Sequence, residues 1–223
     1  MFCLKCGNKL ANGVGFCAKC GTPIKTAGPP APSSKPAKVK LKLDNGDVYE
    51  GEAVNGNPHG KGKLTFDGGD YVYEGDFVDG EQTGKGKFTS VYGINYEGDF
   101  VDGNFHGKGR MTYDDGNVYE GDFVDGNFHG KGRMTYDDGN VYEGDFVDDK
   151  FHGKGRMVYS YGDVYEGDFV DDEPHGKGKL TTADGDVYEG DFVGGDFHGK
   201  GRMTYVDGKV KEGNWKKGKF VGK

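Results

Sequence analysis

One repeat governs this sequence. The triplet Tyr-Glu-Gly begins at Tyr49, Tyr73, Tyr96, Tyr119, Tyr142, Tyr165 and Tyr188, and a degenerate copy stands at Lys211-Glu212-Gly213. The first interval is 24 residues and the next six are 23. Residues 101–123 and 124–146 are identical. A fixed period of this length specifies a linear array of like units rather than one globular core. Composition alone would mislead: Leu, Ile, Val and Phe make up about 19% of the 223 residues, a level typical of disordered chains. The phased repetition overrules disorder, and so small an apolar content argues against a compact enzyme fold with a broad core.

Inside one unit the pattern has a period of two. Tyr119, Gly121 and Phe123 point one way and Glu120 and Asp122 the other. A loop holding Asp125-Gly126 and His129-Gly130 follows. Alternation then resumes, with Gly132, Met134 and Tyr136 on one face and Arg133 and Thr135 on the other. Asp138-Gly139 turns the chain toward Tyr142. Two short strands joined by glycine turns make each unit a β-hairpin. Val39, Leu41 and Leu43 stand at the offsets that place a half unit before Tyr49, with Lys40 and Lys42 outward. Glu212-Gly-Asn-Trp215 closes the array with another half unit, giving sixteen strands. Lys216, Lys217, Lys219 and Lys223 follow, and lysine-rich edges discourage sheet aggregation. The extra residue of the 24-residue interval falls in Asp67-Gly68-Gly69-Asp70.

The expected fold is therefore all-β: an elongated single-layer antiparallel sheet of stacked hairpins over residues 39–223. One face carries Tyr, Phe, Met and glycine. The other pairs Glu and Asp with Lys and Arg across strands, each pair worth about 0.2–1 kcal/mol. The glycines leave space for rings and permit bending. This pattern closely resembles the MORN repeat family, whose unit reads Tyr-x-Gly-x-Trp-x-x-Gly-x-x-His-Gly-x-Gly. Here the tryptophan is replaced by Phe77, Phe100, Phe123, Phe146, Phe169 and Phe192, and by Ala53 in the first unit. It survives only at Trp215, and Thr83 replaces one histidine. The resemblance implies a twisted sheet, often paired into homodimers, that serves as a scaffold or targeting segment. Lipid binding has also been proposed for that family.

All four cysteines lie in the first 20 residues, as Cys3-x2-Cys6 and Cys17-x2-Cys20. Two tight turns, each followed by glycine (Gly7, Gly21), supply the four sulfurs of a tetrahedral Zn2+ site. A segment this small buries no core, so metal binding would drive its folding, roughly 10–16 kcal/mol apparent at neutral pH. The alternatives are two disulfides, which need an oxidising compartment, and a redox pair, which needs one Cys pair beside a βαβ unit. Closed four-sulfur coordination makes the zinc structural. Residues 1–25 resemble the small N-terminal zinc ribbons of bacterial cytoplasmic and membrane-associated proteins. Residues 26–38 hold four of the seven prolines and read as a flexible linker.

Charge is divided along the chain. Residues 1–40 carry seven lysines and no acid, while the remainder holds 22 bases against 37 acids. The acidic body repels nucleic acid and anionic lipid. No apolar stretch approaches the ~20 residues of a membrane-crossing helix, and no secretory core is present, which points to a cytoplasmic protein. The six histidines (His59, His106, His129, His152, His175, His198) occupy one slot of the repeat, whereas catalysis needs an asymmetric constellation. The Asp-Asp-Gly-Asn turns lack EF-hand spacing, and no phosphate-binding loop occurs.

The aromatic stripe has two readings. Either curvature lets the rings pack on one another, or a second body covers them. In the second case Tyr96, Phe100, Tyr119, Phe123, Tyr142 and Phe146 of the middle units are the partner-binding residues, for an extended peptide or an amphipathic helix. The sequence thus predicts a non-enzymatic scaffold that binds protein through its aromatic face. The alternative is a peripheral adaptor on anionic lipid, using the basic head and the lysine-rich C-terminus.

Overall fold

A computed structural model describes residues 36–223, which form one unit. The four cysteines and most of the proline-rich segment lie outside the described residues. The sheet begins at β1 (Ala37–Lys42). Strands built on Tyr-Glu-Gly, or its degenerate copy, take even numbers: β2 (Val48–Val54), β4 (Tyr71–Val78), β6 (Asn95–Val101), β8 (Val118–Val124), β10 (Val141–Val147), β12 (Val164–Val170), β14 (Val187–Val193) and β16 (Val210–Lys216). Strands of the glycine-lysine type are odd: β3 (Asn57–Phe66), β5 (Glu81–Ser90), β7 (Asn104–Thr112), β9 (Asn127–Thr135), β11 (Lys150–Val158), β13 (Glu173–Thr181), β15 (Asp196–Thr204) and β17 (Lys219–Gly222).

Each strand pairs antiparallel with the next, giving one open 17-stranded sheet. The hairpin reading holds, with three differences in detail. Lys219–Gly222 returns onto β16 as a seventeenth strand, because Phe220 lies opposite Trp215 and finds an apolar partner there. Ala37 and Lys38, at the end of the proline-rich segment, are already strand, opposite Ala53 and Glu52. His129-Gly130 is not loop but part of β9, as a bulge. Asp122 faces His129 and Gly121 faces Gly132, so Gly130 and Lys131 bulge out of this pairing. The Asp122 carboxylate accepts the Lys131 N–H at 3.0 Å, satisfying the amide the bulge frees. The 24-residue unit takes up its extra residue in a 3-10 turn at Asp67–Gly69, where the repeat arithmetic placed it.

The hairpin loops follow the sheet's twist. Asp125 (φ +49°) and Gly126 (φ +91°) form a two-residue connection with both residues left-handed, the turn that matches right-handed strand twist. Each such turn bonds to the preceding unit, as Gly126 N–H does to Phe105 O at 2.9 Å. At the opposite rim Asp137 N–H donates to Asn117 Oδ1 (3.0 Å) and Ser160 N–H to Asn140 Oδ1 (2.8 Å). Both rims therefore fix the stacking of unit on unit.

At the centre of the sheet lies an unbroken row of facing glycines from Gly51 in β2 to Gly213 in β16, including Gly109, Gly121, Gly132 and Gly144. The ring of Tyr119 lies across Gly121 and Gly132; a Cβ on Gly132 would clash with its ring carbons, and one on Gly121 with its hydroxyl. Its hydroxyl donates to Asp122 O (2.9 Å) and also approaches His129 O (3.5 Å). Rings then join unit to unit: Tyr119 meets Phe123 edge-on at 5.1 Å, Phe146 of the next unit at 5.0 Å, and stacks on Phe128 at 3.8 Å. The seven tyrosines of the Tyr-Glu-Gly triplets and five of the phenylalanines that follow them (Phe77, Phe100, Phe123, Phe146, Phe169) are under 2% exposed, so a single-layer sheet contains its own core.

Gly132→Ala should accordingly destabilise the array by about 1–3 kcal/mol, because it overpacks a filled site. Phe123→Ser should cost about 3–5 kcal/mol, as large-to-small core changes do, and His129→Ala clearly less. Urea denaturation of the three variants gives the comparison; equal losses for Phe123 and His129 would show that the ring stripe is not the core.

Candidate functional site

The six rings expected to receive a partner are interior. Tyr96, Phe100, Tyr119, Phe123, Tyr142 and Phe146 are each 0–1% exposed. Of the two readings of the stripe, self-packing describes them, because each tyrosine wedges between the phenylalanines of two consecutive units.

The opposite face carries two charged rows flanking the glycines. In one, acid and base alternate strand by strand: Lys40, Glu50, Lys63, Glu74 and onward through Arg110, Glu120, Arg133 and Glu143 to Arg202 and Glu212. In the other, the odd-strand lysines up to Lys177 face the carboxylate of the next even strand, as in Lys85–Asp99 (2.7 Å), Lys108–Asp122 (2.6 Å) and Lys131–Asp145 (2.5 Å), and Lys200 faces Asn214. Bends between the rows leave a groove of about 1020 Å³ floored by Gly62, Gly75, Gly86, Gly98 and Gly109. Comparable hollows of about 660 and 670 Å³ lie toward either end of the same face. Within the main groove Lys87 faces Glu97, yet neither enters an ion pair among the described residues.

The aspartates of the second row are poised structural groups. Lys85, Lys154 and Lys177, each from the preceding unit, hold Asp99, Asp168 and Asp191 below the usual carboxylate range. At Asp122 and Asp145 partial burial pulls upward, but the lysine ammonium and the bulge amide outweigh it and the net shift is again down. On the other face burial raises the tyrosine phenols, with the adjacent aspartate adding to it; Tyr73 and Tyr188 reach about 12. Tyr96, Tyr119, Tyr142 and Tyr165 move in the same direction.

The histidines serve the bulges. Nδ1 of His59, His106 and His129 has no hydrogen-bond partner and lies 3.7–3.8 Å from Asp79, Asp125 and Asp148 in the following turns. No cluster of three or more potential ligands able to hold a metal occurs among the described residues. Charge separates the face from the rims: 22 of the 37 acids lie outside the two rows, in turns and at strand ends. The paired face is thus nearly neutral and the acidic character sits at the rims. Among the described residues no helix is long and apolar enough to cross a membrane.

An open repeat sheet with a ring-and-glycine core on one face and a charged groove on the other defines the class of protein. Residues 49–71, 73–91, 96–118, 119–141, 142–164, 165–187, 188–210 and 212–223 match the MORN repeat, and the chain belongs to that family. Residues 2–24 match the zinc-ribbon domain. No curated protein matches the chain. Among solved structures it is similar to the SAS-4 (dCPAP) TCP domain of Drosophila melanogaster in complex with a proline-rich motif of Ana2, with 12% identity, 80% of this chain and 90% of that one covered, and a TM-score of 0.35. The Danio rerio CPAP TCP10 domain in complex with a STIL peptide shows 13% identity, coverage of 80% and 100%, and a TM-score of 0.26.

The tyrosine shifts fix the alkaline limit. A phenol whose folded pKa lies above its unfolded value of about 10 contributes stability that is complete below pH 10 and lost as pH rises toward 12. Phenolate absorbance should therefore appear for the seven core tyrosines only as the sheet unfolds, at a pH above that of exposed Tyr161. The depressed aspartates act oppositely: their stability is present above about pH 4 and lost as pH falls further. Thermal melts should show Tm dropping below pH 4, and Asp122→Asn should make that drop shallower.

Proposed function

We propose that this protein is a non-enzymatic cytoplasmic scaffold whose glycine-floored charged groove receives an α-helical segment of a protein partner. The observation that supports this most is the regularity of the groove. Like charges recur every second strand, about 9.5 Å apart. Seven residues of an α-helix advance about 10.5 Å. A helix lying across the strands with charges at heptad spacing meets the same environment in unit after unit, and Lys87 and Glu97 offer it unspent charges. Repetition also argues against catalysis, since each candidate acid, base or histidine recurs in equivalent surroundings. The acidic rims disfavour an anionic membrane as the principal partner of the array.

The N-terminal module holds a structural zinc through Cys3, Cys6, Cys17 and Cys20 in this reading, supported by the ligand spacing and the zinc-ribbon match. Bound zinc would supply that module's folding energy and no reaction chemistry.

Two experiments test the proposal. Full-length protein and a Glu97→Lys/Glu120→Lys variant serve as baits for recovered cellular proteins, each verified as folded by circular dichroism. A helical partner held by the wild type and lost by the variant supports the groove; a partner held equally by both removes it. Elemental analysis should give one zinc per chain, lost in Cys6→Ser, with the array's melting transition unchanged. A displaced array transition would show that the two parts are coupled.

A further inference from the structure

We propose that the rim formed by the Tyr113, Tyr136 and Tyr159 turns binds a basic, proline-rich segment of another protein in the polyproline II conformation. This surface belongs to the ring-bearing side of the sheet and is separate from the charged groove. A second aromatic row, which the core does not absorb, carries the argument. Tyr113, Tyr136 and Tyr159 follow β7, β9 and β11, one per unit, in the slot that Thr182 and Tyr205 take in later units. Backbone bonds fix each at the mouth of its turn: Tyr136 N–H donates to Asn140 O at 2.9 Å, and Gly139 N–H to Tyr136 O at 3.1 Å. The rings pack against the core and remain half-buried. Tyr161, 66% exposed, stacks on Tyr159 at 5.3 Å and adds a second ring to that rung.

Spacing selects the conformation of the ligand. Equivalent residues of consecutive units lie two strands apart, about 9.5 Å. A polyproline II segment turns the same side outward every third residue, and three residues advance about 9.3 Å. A β-strand repeats its face every second residue, about 6.6 Å, and falls out of step with the rings. Prolines at every third position therefore meet one tyrosine each. Such a segment makes no hydrogen bonds within itself, so its carbonyls are available to the phenol hydroxyls of the row.

Charge selects its sign. Burial raises the phenols of Tyr113 and Tyr136; Asp149 and Asp115 add to the shift of the first, Asp172 and Asp138 to that of the second. Those aspartates are exposed, so the ring row stands among carboxylates that favour lysine or arginine between the prolines. Tyr205 shows the contact within the chain itself: the Lys211 ammonium lies over its ring, 5.4 Å from the centroid. A basic proline-rich segment repeats that contact along the row, with proline rings stacked where the tyrosine faces are open.

Fluorescence anisotropy of the full chain tests this with a labelled synthetic peptide that carries proline at every third position and lysine before each proline. A peptide of the same composition with proline at every fourth position should bind about tenfold more weakly, a comparison made entirely on the wild type. Tyr136→Thr gives this slot the side chain that Thr182 already supplies in a later unit, and should weaken the first peptide about tenfold. Thr182→Tyr lengthens the row and should tighten a longer peptide of the same period severalfold, a gain that misfolding cannot imitate. Ring resonances of Tyr113, Tyr136 and Tyr159 should move on binding, and those of Glu97 and Glu120 in the groove should not. Equal binding of the two peptides, indifference to both substitutions, or shifts confined to the groove would overturn the proposal.

Discussion

The whole array depends on a tyrosine ring lying flat over two glycine α-carbons. The contact performs three tasks at once. It brings an aromatic face within van der Waals distance of backbone, which no other residue pair at those positions would permit. It lets the phenol reach main-chain carbonyls that the bulge leaves available, so that a buried hydroxyl is satisfied. It also sets each ring at the depth where the phenylalanines before and after it can close on its edges. A single-layer sheet ordinarily has nothing to bury its apolar face against. Here the glycine row lowers the floor of that face enough for a core to form within the layer.

The hairpin period, the faces and the extra residue at Asp67–Gly69 were all legible in the sequence, since alternation and turn residues report directly on a ladder whose neighbours are consecutive. The destination of the rings was not. Whether Tyr119 is covered by Phe146 or by another protein depends on how far the sheet bends, and bending is set by bulges that leave only a weak trace. His129-Gly130-Lys131 reads as loop because two residues break the alternation. The signal that could have corrected it is Asp122, a carboxylate placed to accept the amide that a bulge frees. The zinc ribbon's spacing was legible, and it lies outside the described residues.

In the proposed reading, burying the rings leaves recognition to the polar side. A face made of opposed ion pairs gives up little by hydrophobic transfer, so affinity there rests on complementary charge and on how well the partner fits the glycine floor. Such a surface favours register over strength. As the proposed groove, it would admit an elongated ligand at positions one unit apart and leave irregularities such as Lys87 and Glu97, unpaired among the described residues, to select among them.

The junctions between units 101–123 and 124–146 are alike in sequence and bonding, and this bears on how the chain can change length. A 23-residue duplication or deletion creates no new interface; it adds or removes one step of sheet, about 9.5 Å of span. Slippage in the underlying gene would then be structurally silent in the core while altering reach, so the number of units is the dimension along which a protein built this way can most readily evolve.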